Sequence, residues 1–178
     1  MTDRDQIEEA LLLVRCQLGE RAAYDTLVRA HAGPLTRHVR RLAGSGPADD
    51  LAQEVWLRAF RGIGRQRTGT RFRPWLLGIA HHVVMDHFRL RYAVAEESHD
   101  DIAAEEPENR EALLAALETQ LAALPLIERE TLTLFYLEDQ SLADIALIQA
   151  VPAGTVKSRL FRARALLRAA MLAQGETP

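Results

Sequence analysis

A single cysteine, Cys16, stands in 178 residues. It excludes a disulfide within the chain and points to a reducing compartment. Aromatic residues are scarce at 6%, there are only ten glycines, and β-branched runs are short. Sheets draw on β-branched and aromatic side chains, so strands are not expected. No window approaches the ~18 consecutive apolar residues of a membrane-spanning helix. The first residues are charged rather than leader-like. What is plentiful is Leu and Ala, in a chain that is 48% apolar and 26% charged. That balance predicts an all-α soluble protein, expected in the cytoplasm, with material for one sizeable core or two small ones.

Acid is also missing from particular places. The chain is mildly acidic as a whole, at −3, yet residues 1–92 hold 15 Arg against 10 acids. Residues 93–110, AVAEESHDDIAAEEPENR, reverse this with seven acids against one Arg, and residues 111–178 carry eight acids against six basic residues. The middle stretch has little apolar content and no helical period, so it reads as an acidic linker between two small helical domains, 1–92 and 111–178.

Thr2 with Asp5 resembles a capping box ahead of Ile7, Ala10, Leu11, Val14 and Leu18, which fall at helical spacing until Gly19. A second helix is predicted over about 20–31, broken by Gly33-Pro34, and a third to about Leu42. Pro47 suits the first position of the next helix, which would set Asp49 and Asp50 in its first turn, where the helix dipole favours carboxylates. That helix should reach about Arg61. GIGRQRTGTR (62–71) reads as a flexible loop, and a long helix follows from about Pro74 to Arg91. Beyond the linker, helices are predicted near 108–123, 126–137, 141–149 and 152–173.

The last two of these carry the most specific pattern. Ser141 with Asp144 has the capping-box signature over Leu142, Ile145 and Ala146, and a short break at 149–151 precedes Pro152. Two short helices meeting at a tight turn, the second cationic, form a helix-turn-helix. In VPAGTVKSRLFRARALL, Val156, Leu160, Ala163 and Leu167 share one face suited to packing. Ser158, Phe161, Arg162 and Ala165 point the other way, flanked by Lys157 and Arg168. Surface helices usually interleave both signs of charge, whereas this one has no acid from Ala153 to Ala173. Arg and Lys can meet guanine edges or phosphates, and Ser or Thr either, so nucleic acid is the expected partner.

A second acid-free stretch holds Arg61, Arg65, Arg67, Arg71 and Arg73 among glycines and threonines, backed by Phe72 and Trp75. A flexible cationic loop of this kind suits single-stranded or distorted DNA, although the two aromatic residues fit a core better than a stacking platform. In DDLAQEVWLRAF (49–60), Leu51, Val55 and Ala59 can face a core while Asp50, Gln53, Glu54 and Arg58 look outward. By physics alone that is an ordinary amphipathic helix.

In this order the segments resemble the bacterial sigma factors of the extracytoplasmic-function (ECF) group, two-domain initiation factors of RNA polymerase. The likeness spans about Gly19 to Leu172. DDLAQEVWLRAF is similar to the polymerase-clamp helix of that family, and FRPWLLGIAHHVVMDHFRLR (72–91) to its −10-element segment. The stretch from LPLIERETL to GTVKSRLFRARALL is similar to its −35-reading domain, and GTVKSRLFRAR is the most specific part. The resemblance implies a non-enzymatic factor without metal or other cofactor, whose partners are core RNA polymerase and promoter DNA. Asp50, Gln53 and Glu54 would dock on the clamp. The loop 63–71 would hold a flipped −10 base, with Arg65, Arg67, Arg71, Arg73 and His82 at the DNA. Thr155, Lys157, Ser158, Phe161 and Arg162 would serve the −35 element in the major groove. Relatives are commonly held by an anti-sigma protein, a further candidate partner. Two departures stand out. Ala150 occupies a turn position that commonly holds Gly, and His82 replaces a frequent Asn.

Two other readings fit parts of the chain. One is a helix-turn-helix regulator with a helical sensing or dimerising domain over 1–92, which would not need the second cationic site at 61–75. The other is a metal-dependent helical enzyme built on His81, His82, Asp86 and His87, since His82 and Asp86 have the i,i+4 spacing of two metal ligands. The sequence offers no further ligand set, no nucleophile motif and no phosphate-binding glycine loop.

Overall fold

The computed structural model describes residues 3–66, 71–94 and 118–173. Among the described residues there are helices and turns but no strands. Helix α1 covers Asp3–Gln17, α2 Arg21–Ala43, α3 Ser45–Gly62 and α4 Phe72–Val94, with a short 3-10 turn at Ile63–Arg65. In the C-terminal part, α5 covers 118–122. Helix α6, Leu126–Leu132, widens into a π-helical turn over Thr133–Leu137; α7 is Leu142–Ile148 and α8 Ala153–Ala173. The all-α, two-domain architecture is the one expected. The cap proposed at Thr2 and the linker beyond Val94 lie outside the described residues.

Three local expectations are corrected. The Gly33-Pro34 pair does not break the chain: α2 runs through it. Leu27, Leu35, Val39 and Leu42 lie on one buried stripe crossing the proline, each 2% exposed or less. Burying each of those side chains is worth about 1.5–3 kcal/mol, and together they outweigh the ~3 kcal/mol of an interior proline. Helix α3 starts at Ser45, two residues ahead of Pro47, so Asp49 and Asp50 fall beyond its first turn. Gly44 sets that earlier start. At φ 82 and ψ 174 it ends α2, its N–H reaching the Arg40 carbonyl at 2.8 Å, and opens α3. That backbone region is essentially glycine-only. Helix α4 likewise begins at Phe72, which leaves Pro74 within the first turn, where no amide donor is required.

In α1 the buried side is Leu13 and Cys16, while Ile7, Leu11, Val14 and Leu18, the residues at regular spacing, face outward. The N-terminal core gathers Cys16, Leu27, Val39, Leu42, Val55, Phe72 and Val84. Phe72 is fully buried, with ring centroids 5.0 Å from His31, 5.7 Å from Trp75 and 6.3 Å from Trp56. The C-terminal core gathers Leu134, Ile145, Ile148, Val156, Leu160 and Ala163. The two cores touch. Leu77 of α4 is buried in the C-terminal cluster, and Leu126 of α6 packs on the N-terminal one.

The turn between α7 and α8 solves its geometry without glycine. The Ala150 N–H bonds the Leu147 carbonyl at 3.3 Å and the Val151 N–H the Ala146 carbonyl at 3.0 Å, the bond pair of a Schellman ending. Ala150 takes its left-handed place, at φ 51. A side chain in that region costs about 1–2 kcal/mol, and glycine would return part of this as extra freedom in the unfolded chain. Ala150→Gly is therefore expected to stabilise the protein by about 0.5–1 kcal/mol. The urea midpoint at constant m-value reads this directly; a lower midpoint would contradict it.

Candidate nucleic-acid interface

Helix α8 is positioned by its apolar face, with Val156, Leu160 and Ala163 buried in the C-terminal core. In front of it, the Ser141 hydroxyl accepts from the Asp144 N–H at 3.1 Å and the Asp144 carboxylate accepts from the Ser141 N–H at 3.3 Å. This capping box fixes the start of α7. Facing away from the core, Lys157, Ser158, Phe161 and Arg162 are exposed, Phe161 by 76%, while Thr155 is half-buried and its carbonyl accepts from Ser158 Oγ at 2.8 Å. The helix presents a row of cations around an apolar ring, and a nucleic-acid groove can accept both.

The arginines of α8 do not all share that task. Arg159 donates to Gln149 Oε1 at 2.8 Å. Arg164 donates to the Tyr136 hydroxyl at 2.8 Å, and its guanidinium lies 5.8 Å from the Phe135 ring centroid and 5.5 Å from that of Tyr136. Both brace the domain. Arg162 is paired with Glu128, a buried carboxylate reaching across from α6. The helix lacks acid in sequence, but α6 supplies one in space.

The N-terminal cationic stretch is split. Gln17 anchors the 3-10 turn by donating to the Gln66 carbonyl at 2.9 Å and the Ile63 carbonyl at 3.3 Å, and this leaves Arg65 exposed. Arg67 lies outside the described residues. Arg71 is paired with Asp144, and Arg73 Nη2 donates to Glu138 at 2.7 Å. His82 is exposed on α4, next to His81, whose Nδ1 lies 2.8 Å from the fully buried Glu130. Of the residues expected at DNA here, Arg65 and His82 face solvent, whereas Arg71 and Arg73 are turned to the C-terminal domain. Phe72 is a core residue, not a stacking platform.

On α3, Asp50 and Gln53 are exposed, while Glu54 is half-buried and bonded to Arg58 Nε at 2.8 Å. Arg58 also reaches Asp86 of α4 at 3.3 Å, and Arg89 reaches Asp86 at 3.2 Å. Glu54 is thus part of a bridge between α3 and α4. Exposed Leu57 continues the row of Asp50 and Gln53 at i+3 and i+7.

Sequence reasoning missed where four buried acids point: Glu130, Glu138 and Asp144 face the N-terminal domain, and Glu128 faces α8. Burial raises the Glu138 carboxyl, but His38 at 3.6 Å and then Arg73 overcome this and hold it below the ordinary carboxylate range. Asp144 is likewise held low, with burial outweighed by the Ser141 hydroxyl and Arg71. One signal was available. LIERETLTLFYLEDQ places acids inside an apolar run, where an unpaired carboxylate is not tolerated. Among the described residues, no three His, Cys, Asp or Glu converge so as to hold a metal ion, and Asp86 is taken by arginines.

Two family models match the chain, sigma-70 region 2 over residues 27–93 and sigma-70, region 4 over residues 114–167. The ECF RNA polymerase sigma factor SigC of Mycobacterium tuberculosis is 37% identical over 174 residues, covering 93% of this chain and 91% of that one. The RNA polymerase sigma-H factor of Pseudomonas aeruginosa is 32% identical over 178 residues, covering 89% and 91%. Among solved structures, the sigma factor RpoE of Bartonella quintana, bound to the anti-sigma factor NepR, matches with a TM-score of 0.74 at 23% identity over 83% of this chain and 96% of that one. CnrH, in complex with the cytosolic domain of CnrY, matches with a TM-score of 0.72 at 23% identity over 93% and 97%. The region 2 match falls on the part that a regulator would use as a sensing domain, and the regulator reading is set aside.

Proposed function

The chain belongs to the sigma-70 family as a sigma factor of the extracytoplasmic-function group, and from that membership we propose how its residues divide the work. It binds core RNA polymerase and promoter DNA and directs promoter-specific initiation. The observation that carries the division of labour is the pair of acid-free cationic stretches, one in each matched region. Lys157, Ser158, Phe161 and Arg162, with Thr155 behind them, read the −35 element from the major groove. Arg65, Arg67, Arg71, Arg73 and His82 serve the −10 element, where a base leaves the stack and its strand needs cationic support. Asp50 and Gln53, with Glu54 beside them, dock on the polymerase clamp.

The working division is 1–92 for clamp and −10 element, 93–110 for the acidic linker and 111–178 for the −35 element. No catalytic step is assigned to the chain itself, and its place of action is the cytoplasm. Among the described residues no helix is long and apolar enough to cross a membrane. An anti-sigma protein is a further proposed partner, as the RpoE neighbour was solved bound to one.

Transcription in vitro with core RNA polymerase and genomic DNA, with mapping of start sites, tests the whole reading; starts independent of this chain would refute it. The clamp assignment has its own test. Gln53→Ala with Glu54→Ala is expected to weaken polymerase capture several-fold in a pull-down, at a stability cost of about 1 kcal/mol or under, since Gln53 is exposed and Glu54 gives up a half-exposed ion pair with Arg58. Undiminished capture would remove these residues from the clamp contact.

A further inference from the structure

We propose that Glu128 is a positioning residue for reading the −35 element: its buried carboxylate holds the Arg162 guanidinium in one plane on the outward face of α8, so that this arginine meets a guanine edge rather than the nearest phosphate. This rests on the assignment of Arg162 to the −35 element. The two side chains have opposite surroundings. That of Glu128 is 4% exposed and that of Arg162 65%, and Arg162 Nη2 donates to Glu128 Oε1. Arg159 and Arg164 on the same helix end on neutral partners, Gln149 and Tyr136. Of these three arginines, Arg162 is the one held by a charge.

Glu128 cannot follow the arginine outward, because α6 is pinned around it. The Arg129 N–H donates to the Pro125 carbonyl at 3.0 Å, the Arg129 guanidinium donates to the Leu124 carbonyl at 2.9 Å, and Leu132 is buried in the C-terminal core. A buried carboxylate that loses its partner is costly, so swinging Arg162 away to a phosphate is penalised. A long cationic side chain otherwise samples many rotamers, and ordering them on binding takes from affinity. Here the ordering is complete in the free protein.

The pairing leaves an edge of the arginine free for a base. A guanidinium carries five N–H donors in one plane, and one bond from Nη2 leaves enough for two parallel bonds to guanine O6 and N7. Adenine places a donor where guanine has O6, so a guanidinium of fixed plane rejects it. A loose guanidinium turns to phosphate, which every sequence offers. Glu128 thereby converts a general attraction into discrimination, as outer carboxylates do for other side chains whose orientation matters.

The test uses holoenzyme assembled from core RNA polymerase and the full chain, on a duplex carrying the −35 element of a promoter mapped by transcription in vitro. Each guanine of that element is replaced in turn by 7-deazaguanine, which lacks the N7 acceptor, and a random-sequence duplex is measured beside it. For the parent, one replacement is expected to weaken binding about tenfold. Glu128→Met removes the acceptor and leaves only an exposed guanidinium to be hydrated. It should cut that penalty to about threefold or less, with affinity for random DNA unchanged. Glu128→Gln keeps an uncharged acceptor and should fall between parent and Glu128→Met. In an Arg162→Ala background neither change should have any further effect on binding, a coupling that a merely structural role would not produce. The parental penalty in variants of intact helical content overturns the positioning role, and if Glu128→Met does not fold, Glu128→Gln is judged by the same outcomes. Tighter binding of cognate and random DNA alike also overturns it, since Glu128 would then be masking the arginine. If no guanine is sensitive in the parent, or the sensitive one stays so in Arg162→Ala, the assignment of Arg162 to a guanine edge fails and the proposal falls with it.

Discussion

Phe72→Ala is expected to lower the stability of the protein by about 3–5 kcal/mol, the usual range for emptying the site of a buried aromatic side chain. The ring has no exposed surface and is enclosed by His31, Trp56 and Trp75. Domains of this size hold about 5–15 kcal/mol in total, so the variant loses a large share of it. Phe72→Leu separates packing from stacking. It keeps most of the apolar volume and should cost far less, about 1.5 kcal/mol or under if neighbours repack. It should also retain promoter opening. A stacking role predicts the opposite pattern, in which both variants lose opening while stability is unchanged. Chemical denaturation beside permanganate footprinting distinguishes the two, and an unchanged denaturation midpoint for Phe72→Ala would remove Phe72 from the core.

Arg162→Ala is expected to cost about 1–3 kcal/mol on the cognate −35 element and much less on unrelated DNA, because a lost base-edge contact removes discrimination rather than attraction. Arg168, two turns further along α8, should meet phosphate alone. Arg168→Ala should then weaken both DNAs modestly and reduce the salt slope by about one counterion. The pairing of Arg162 with Glu128 adds a second effect. Removing the guanidinium leaves a buried carboxylate unpaired, so the variant also loses some stability with or without DNA. Competition binding of the full chain across a salt series, with denaturation run in parallel, separates these terms. Equal weakening on cognate and random DNA would make α8 an electrostatic contact and end its assignment to the bases.

The elements that sequence made legible are those whose signals are local. The capping box at Ser141, the apolar row Val156–Leu160–Ala163 and the outward row Ser158–Phe161–Arg162 all appear as expected, because helix period and cap chemistry act within a few residues. Reading failed where tertiary packing decides. Gly33-Pro34 reads locally as a stop, yet the burial of Leu35, Val39 and Leu42 carries α2 past it. Leu11 and Leu18 have perfect helical spacing and still face outward, since α1 docks through Leu13 and Cys16. The acids that answer Arg71, Arg73 and Arg162 lie 73, 65 and 34 residues away along the chain. No local pattern shows that a cation-rich loop is already occupied by carboxylates from the far domain.

Cys16 lies 1% exposed against α2, and its environment raises the thiol's pKa: burial is the main cause and Glu20 adds to it, while Arg15 opposes both. Peroxide and disulfides react with thiolate, and this sulfur is both protonated and enclosed. The chain's one thiol is therefore shielded from thiol oxidants. If the promoters it serves respond to thiol oxidants, the sulfur that reacts belongs to another molecule and reaches this factor as a change in binding.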